Sequence, residues 1–222
     1  MEKREVLQRI ADVGLVPVVR AASADEAMAV VEAIKAGGVP IIEITMTVPG
    51  AVRVISEIAE AYGEEIVLGA GTVLDPETAR ACILAGAHFI VSPSFNPDTI
   101  EMCRRYAITV CPGALTPTEI VAAWQAGADI VKVFPCGALG GAKYLRALKG
   151  PLPQIDLIPT GGISLETAAD FIRAGAFALG VGTDLVDTQA IRAGQSGKVM
   201  KAARAYVDLV REARSQAINS AG

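Results

Sequence analysis

The segment Ala128-Asp129-Ile130-Val131-Lys132-Val133-Phe134-Pro135 reads as an apolar strand with a lysine at its centre. An ammonium is costly to desolvate, so packing alone gives no reason for a lysine between two valines. Burial disfavours the charged form, and a neutral amine can attack a ketone to form a Schiff base. The bland alternative is a lysine that snorkels out through the strand end, and the immediate Phe134-Pro135 stop argues against it. A second charge stands in a similar setting. In Ile41-Ile42-Glu43-Ile44-Thr45, Glu43 shares a face with Ile41 and Thr45. A buried glutamate is rarely structural unless paired, and such a carboxyl suits proton shuttling. A purely structural Glu43–Lys132 ion pair is the competing reading. About thirty residues beyond the lysine, Pro159-Thr160-Gly161-Gly162-Ile163-Ser164 forms a Gly-rich turn of the phosphate-binding kind. An amine nucleophile followed by such a turn points to chemistry on a phosphorylated keto compound.

These residues need a frame, and the alternation of β-branched runs with helical stretches supplies one. Strands are expected at 15–20, 40–45, 66–70, 89–92, 108–111, 130–134, 156–159 and 178–180. Helices are expected at 23–36, 51–61, 76–85, 97–106, 117–126 and 165–174. Ser23, Asp75-Pro76, Asn96-Pro97 and Ser164 read as helix starts. A recurring Ala-Gly phrase, at Ala36-Gly37, Ala85-Gly86, Ala126-Gly127 and Ala174-Gly175, reads as helix ends. Strand–helix alternation repeated about eight times implies an α/β fold, a single (β/α)8 TIM barrel over residues 1–222. An open doubly wound sheet is the runner-up. The helix expected at 2–13 would cover the bottom of the barrel, and an amphipathic helix at 202–217 would pack on its outside.

In a barrel, reactive groups belong at the C-terminal strand ends. Lys132 would lie near the end of the sixth strand and Glu43 on the lumen face of the second. Gly161-Gly162 after the seventh strand and Gly180-Val181-Gly182-Thr183 after the eighth occupy the usual barrel phosphate site. Gly69-Ala70-Gly71-Thr72, Ser92-Pro93 and Cys111-Pro112-Gly113 close the third, fourth and fifth strands with small residues that suit a compact anionic ligand.

The chain has 222 residues, 52% of them hydrophobic, with a formal charge of −4, which disfavours nucleic acid or an anionic membrane as partner. No apolar run approaches the ~20 residues of a membrane span. The N-terminus lacks the apolar centre of a signal peptide, so a cytoplasmic enzyme is expected. Cys82, Cys103, Cys111 and Cys136 have neither disulfide nor zinc spacing and read as reduced core residues, with Cys136 near the site. The single histidine, His88, reads as structural.

Taken together, Val16-Pro17-Val18-Val19-Arg20, Ile42-Glu43-Ile44-Thr45, Gly69-Ala70-Gly71-Thr72-Val73-Leu74, Ser92-Pro93, Val131-Lys132-Val133-Phe134-Pro135 and Pro159-Thr160-Gly161-Gly162-Ile163 resemble a known family. It is the bacterial 2-keto-3-deoxy-6-phosphogluconate (KDPG) / 4-hydroxy-2-oxoglutarate (KHG) aldolase family of class I aldolases. The resemblance implies a (β/α)8 barrel that cleaves a phosphorylated keto acid to pyruvate and glyceraldehyde 3-phosphate, needs no metal or organic cofactor, and assembles as a homotrimer. It implies Lys132 as Schiff-base lysine and Glu43 as acid–base residue. Thr72 and Pro93 would line the pyruvate pocket, with Phe134 beside the imine. Gly161, Gly162 and Thr183 would form the phosphate end, with Arg20 adding positive charge. Many members carry arginine four residues after the glutamate as a substrate contact, where this chain has Thr47. The galactonate epimer and unphosphorylated KHG remain alternative substrates. A non-covalent phosphate-barrel isomerase or synthase, and a non-catalytic sugar-phosphate-binding protein, are the readings from other classes.

Overall fold

Nine short parallel strands alternate with helices in a computed structural model that describes residues 1–221, with side chains described through 216. In chain order they are α1 (Lys3–Val13), β1 (Leu15–Val19), α2 (Ala24–Ala36), β2 (Ile41–Thr45), α3 (Ala51–Tyr62), β3 (Val67–Gly71), α4 (Pro76–Leu84) and β4 (Phe89–Val91). Then follow α5 (Pro97–Arg105), β5 (Thr109–Cys111), β6 (Gly113–Ala114), α6 (Pro117–Gln125), β7 (Val131–Val133) and α7 (Ala142–Lys149). The last elements are β8 (Leu157–Pro159), α8 (Ala168–Arg173), β9 (Leu179–Val181), α9 (Thr188–Arg192) and α10 (Ser196–Ala221).

Hydrogen bonding gives one sheet in the order β5-β4-β3-β2-β1-β9 and a second in the order β6-β7-β8. Two joints close them into a barrel. Only Pro112, which has no N–H to donate, separates β5 from β6, so these segments are halves of one interrupted strand. At the other joint a parallel bridge pairs Thr160 with Gly180, and the Phe177 N–H donates to the Leu157 carbonyl at 2.9 Å. Nine segments therefore fill eight barrel positions, which excludes the open sheet.

The helix ends follow a shared chemistry. Ser23, Asp75 and Asn96 accept backbone N–H groups of the first turns of α2, α4 and α5. Ser164 does not cap: its carbonyl accepts the Thr167 and Ala168 N–H groups in a preliminary turn, and α8 begins only at Ala168. Gly38, Gly86, Gly127 and Gly175 each adopt positive φ, and the next N–H closes a six-residue ring, as in Ala87 to Cys82 and Ala128 to Ala123. Where α5 ends, exposed Ala107 makes the same turn at φ 54°. A Cβ is disfavoured there, so Ala107→Gly should stabilise the protein by about 0.5–1 kcal/mol. Urea unfolding is the check, and a destabilised variant would contradict it.

At the bottom of the barrel, Val6 and Ile10 of α1 are buried under the strand starts. Arg214 of α10 donates to the carbonyls of Ala11, Asp12 and Phe177 and holds α1 in place. His88 belongs to this end. Its Nδ1 accepts the Leu68 N–H at 3.1 Å, while its own N–H donates to the Leu68 carbonyl at 2.7 Å. Burial pushes the imidazole below its ordinary value, the N-terminal ammonium and Arg9 add to this, and Glu64 opposes it. The unfolded chain then binds a proton more readily than the folded one, so stability should fall as pH drops below about 6.5. This window lies above the carboxylate range. Unfolding free energies measured from pH 7 to 5 should show the slope in the native protein and its loss in His88→Gln. An unchanged slope in the variant would assign it elsewhere. Among the described residues, no helix is long and apolar enough to cross a membrane.

Candidate active site

Lys132 and Glu43 reach the lumen because their strands alternate inward and outward, and both have unusually small neighbours. Lys132 is 4% exposed and Glu43 2%. Lys132 Nζ lies 3.9 Å from Glu43 Oε1 and 5.4 Å from the centroid of the Phe134 ring, whose face attracts a cation. Glu43 Oε1 has no hydrogen-bond partner, so the carboxyl is oriented by shape and by the lysine charge alone. The shape comes from Gly71, where an added Cβ would stand 2.0 Å from Glu43 Oε1. Any side chain at that position would occupy the space of the carboxyl.

The pair faces a small chamber also lined by Ile10, Val16, Phe89, Val91, Cys111, Ile158, Thr160 and Gly180. Thr160 and Gly180 also line an open cleft of about 570 Å³ at the barrel mouth. That cleft is bordered by Arg20, Phe134, Gly161, Gly162, Ile163, Ser164, Gly182, Thr183 and Asp184. An amine beside a carboxyl in a dry chamber thus opens into a cleft edged by glycines and a guanidinium. Such an arrangement can take a compound with a carbonyl at one end and an anion at the other.

Arg20 leans over the loop after β9, its Nη1 3.2 Å from where a Cβ on Gly182 would stand. Its own loop is pinned from below by the buried Glu26, which accepts the Ala22 N–H and takes Arg192 Nε of α9 at 2.6 Å. Burial pushes the Glu26 carboxyl up, but Arg192 and the Ala22 N–H outweigh it and hold the group below the usual range. The β9 loop opens as a helical turn, with the Leu185 and Val186 N–H groups donating to the Gly182 carbonyl. The buried Tyr206 hydroxyl of α10 anchors that loop by donating to Asp184.

The structure therefore brings Lys132 and Glu43 together in the chamber, and Arg20, Phe134, Gly161, Gly162 and Thr183 around the cleft. Thr47, Thr72 and Pro93 line neither cavity. The Thr47 hydroxyl turns to Thr45, 2.6 Å away, and the Pro93 backbone packs against Gly113. Thr72 holds φ 58°, a strained conformation for a β-branched residue, in a turn that lets the Val73 N–H reach the Val91 carbonyl. All four cysteines are buried and free, and Cys111 rather than Cys136 lines the chamber. Burial raises the Cys136 thiol to about 11, and burial, with the Asp129 and Glu43 charges, raises Cys111 further still. Sequence reasoning did not single out Thr160, Ser164 or Asp184. The alternation from Ile158 to Thr160 carries a signal for the first; Asp184 has none.

Comparison with known proteins adds to this geometry. The family model described as KDPG and KHG aldolase matches residues 6–202. The 2-dehydro-3-deoxy-6-phosphogalactonate aldolase of Escherichia coli K12 is 39% identical over 201 residues, covering 90% of this chain and 95% of its own length. The KHG/KDPG aldolase of the same organism is 34% identical over 194 residues, 87% of this chain and 91% of that protein. Among solved structures, a KDPG aldolase from Legionella pneumophila, with pyruvate captured at low pH as a covalent carbinolamine intermediate, superposes with a TM-score of 0.84. It shares 26% identity and covers 90% of this chain and 97% of its own.

Proposed function

We propose, because this chain belongs to the KDPG and KHG aldolase family, that it cleaves KDPG to pyruvate and glyceraldehyde 3-phosphate through an imine on Lys132. The chain is a class I pyruvate aldolase, a lyase; the substrate and the residue roles are the proposal. The observation that carries it is the buried pair of Lys132 and Glu43, 3.9 Å apart, opening through Thr160 and Gly180 into the glycine-lined cleft beside Arg20.

The steps follow from these positions. The neutral Lys132 amine adds to the C2 ketone to give a carbinolamine. Glu43 supplies the proton that lets water leave, and a protonated imine forms. That cation is the electron sink. Glu43 then takes the C4 hydroxyl proton as the C3–C4 pair moves into the imine, releasing the aldehyde and leaving an enamine. Protonation at C3 and hydrolysis free pyruvate and restore the amine. The loops after β8 and β9, with Arg20, hold the phosphate while Phe134 covers the imine.

A second reading, cleavage of the 6-phosphogalactonate epimer, is favoured by the 39% identity to the Escherichia coli enzyme of that name. Assembly as a homotrimer and a cytoplasmic location belong to the same proposal, and sedimentation velocity tests the first. The deciding experiment for the chemistry is borohydride reduction with pyruvate, followed by peptide mapping. A carboxyethyl group on Lys132 is the expected result. A folded, unmodified protein would redirect the reading to non-covalent acid–base chemistry in a phosphate-binding barrel. Turnover of the two epimers then assigns the substrate.

A further inference from the structure

We propose that Thr47 is a specificity-determining residue whose hydroxyl presents only lone pairs to the substrate, so that it favours a polyhydroxylated phosphorylated keto acid over a dicarboxylate. This inference rests on the aldolase reading above.

The argument is an accounting of protons. Thr45 Oγ1 lies 3.0 Å from the Val19 carbonyl oxygen. A carbonyl can only accept, so the single Thr45 hydroxyl proton is committed to that bond. Thr45 is fully buried, so no bulk water competes for it. The same Oγ1 lies 2.6 Å from Thr47 Oγ1. With its own proton already given to Val19, Thr45 must accept there and Thr47 must donate. The chain Thr47 to Thr45 to Val19 therefore runs in one direction. It turns the Thr47 proton inward and leaves only lone pairs on the exposed side of its oxygen.

That oxygen stands at the rim on the Glu43 side. Thr45 and Glu43 alternate onto the same face of β2, and Thr45 pairs in register with Gly71. Glu43 Oε1 reaches up to the Cβ position of Gly71, so the carboxyl stands at the level of Thr45. The exposed Thr47 lies two residues farther toward the mouth.

The candidate substrates differ in what they offer such an acceptor. The six-carbon phosphorylated keto acids carry a hydroxyl on C5, which can donate. In 4-hydroxy-2-oxoglutarate the same carbon is a carboxylate, whose lone pairs would face those of Thr47 unpaired. An arginine in this place would do the opposite, since it can only donate.

The test is steady-state kinetics with both substrate types on the native enzyme, Thr47→Val, Thr47→Ser and Thr45→Val. Thr47→Val should lower the ratio of kcat/KM for the phosphorylated hexonate to that for the dicarboxylate by about tenfold, the scale of one lost hydrogen bond and one relieved clash. Thr47→Ser should keep the native ratio. Thr45→Val, which frees the Thr47 proton to point outward, should move the ratio toward the dicarboxylate. A ratio unchanged in Thr47→Val, or a serine variant that behaves like valine, would overturn the assignment. Borohydride trapping of pyruvate on the native enzyme separates the failures. Trapping with an unchanged ratio sinks only the Thr47 role, whereas no trapping sinks the aldolase chemistry beneath it.

Discussion

Lys132→Met is expected to lower kcat by ~10⁴-fold or more and to abolish borohydride trapping of pyruvate, because no other buried amine faces the chamber to replace the nucleophile. Methionine matches the length of the lysine stem, and the flanking Val131 and Val133 are fully buried, so the strand should retain its packing. The cost falls elsewhere. Glu43 Oε1 has no hydrogen bond, and Lys132 Nζ at 3.9 Å is its counter-charge. Removing one member of a buried pair leaves the other uncompensated, a penalty of about 3–5 kcal/mol. In a chain of this length that corresponds to a fall in Tm on the order of 10 °C. The double variant Lys132→Met/Glu43→Gln removes both charges and should recover most of that stability while remaining inactive. Thermal unfolding beside single-turnover assays reads both arms. Activity of Lys132→Met within tenfold of the native enzyme would take the imine away from Lys132.

The two parts of this argument differ in how visible they are in the chain itself. A lysine between valines and a glutamate between isoleucines are anomalies against a period-two apolar pattern, and desolvation cost makes such anomalies legible without coordinates. The barrel is legible for a related reason. Ser23, Asp75 and Asn96 start helices with their own side chains, and the glycines after Ala85, Ala126 and Ala174 end them locally. Where a helix start is not written locally, the reading fails. Helix α7 begins at Gly141, with φ 60° and no side-chain cap, and was not anticipated. Ser164 carries the right hydroxyl but spends its carbonyl on a preliminary turn. Contacts made across the barrel mouth are illegible in principle. Asp184 meets Tyr206 over 22 residues and Glu26 meets Arg192 over 166, distances that only the closed fold collapses. The direction of the Thr47 hydroxyl belongs to the same class, since it depends on a carbonyl in another strand.

Glu43→Gln is expected to lower kcat by about 10²–10⁴-fold, since a glutamine amide fills the same space yet cannot carry a proton between the carbinolamine and the C4 hydroxyl. Imine formation with pyruvate should persist at a reduced rate, so trapping on Lys132 survives while turnover does not. Native-like turnover would show that another group moves the proton. Gly71→Ala tests the same role without altering either charged residue. Its Cβ would stand 2.0 Å from Glu43 Oε1, and the carboxyl, held by no hydrogen bond, is the part free to give way. A displacement of about 1 Å of a positioned catalytic group costs roughly 10²-fold. If the alanine acts only by moving Glu43, it has nothing left to displace once Glu43 no longer transfers protons. The double variant Gly71→Ala/Glu43→Gln should then be no slower than Glu43→Gln alone, because residues that act as a unit do not add. Additive losses would mean that Gly71 serves the site by a route separate from Glu43.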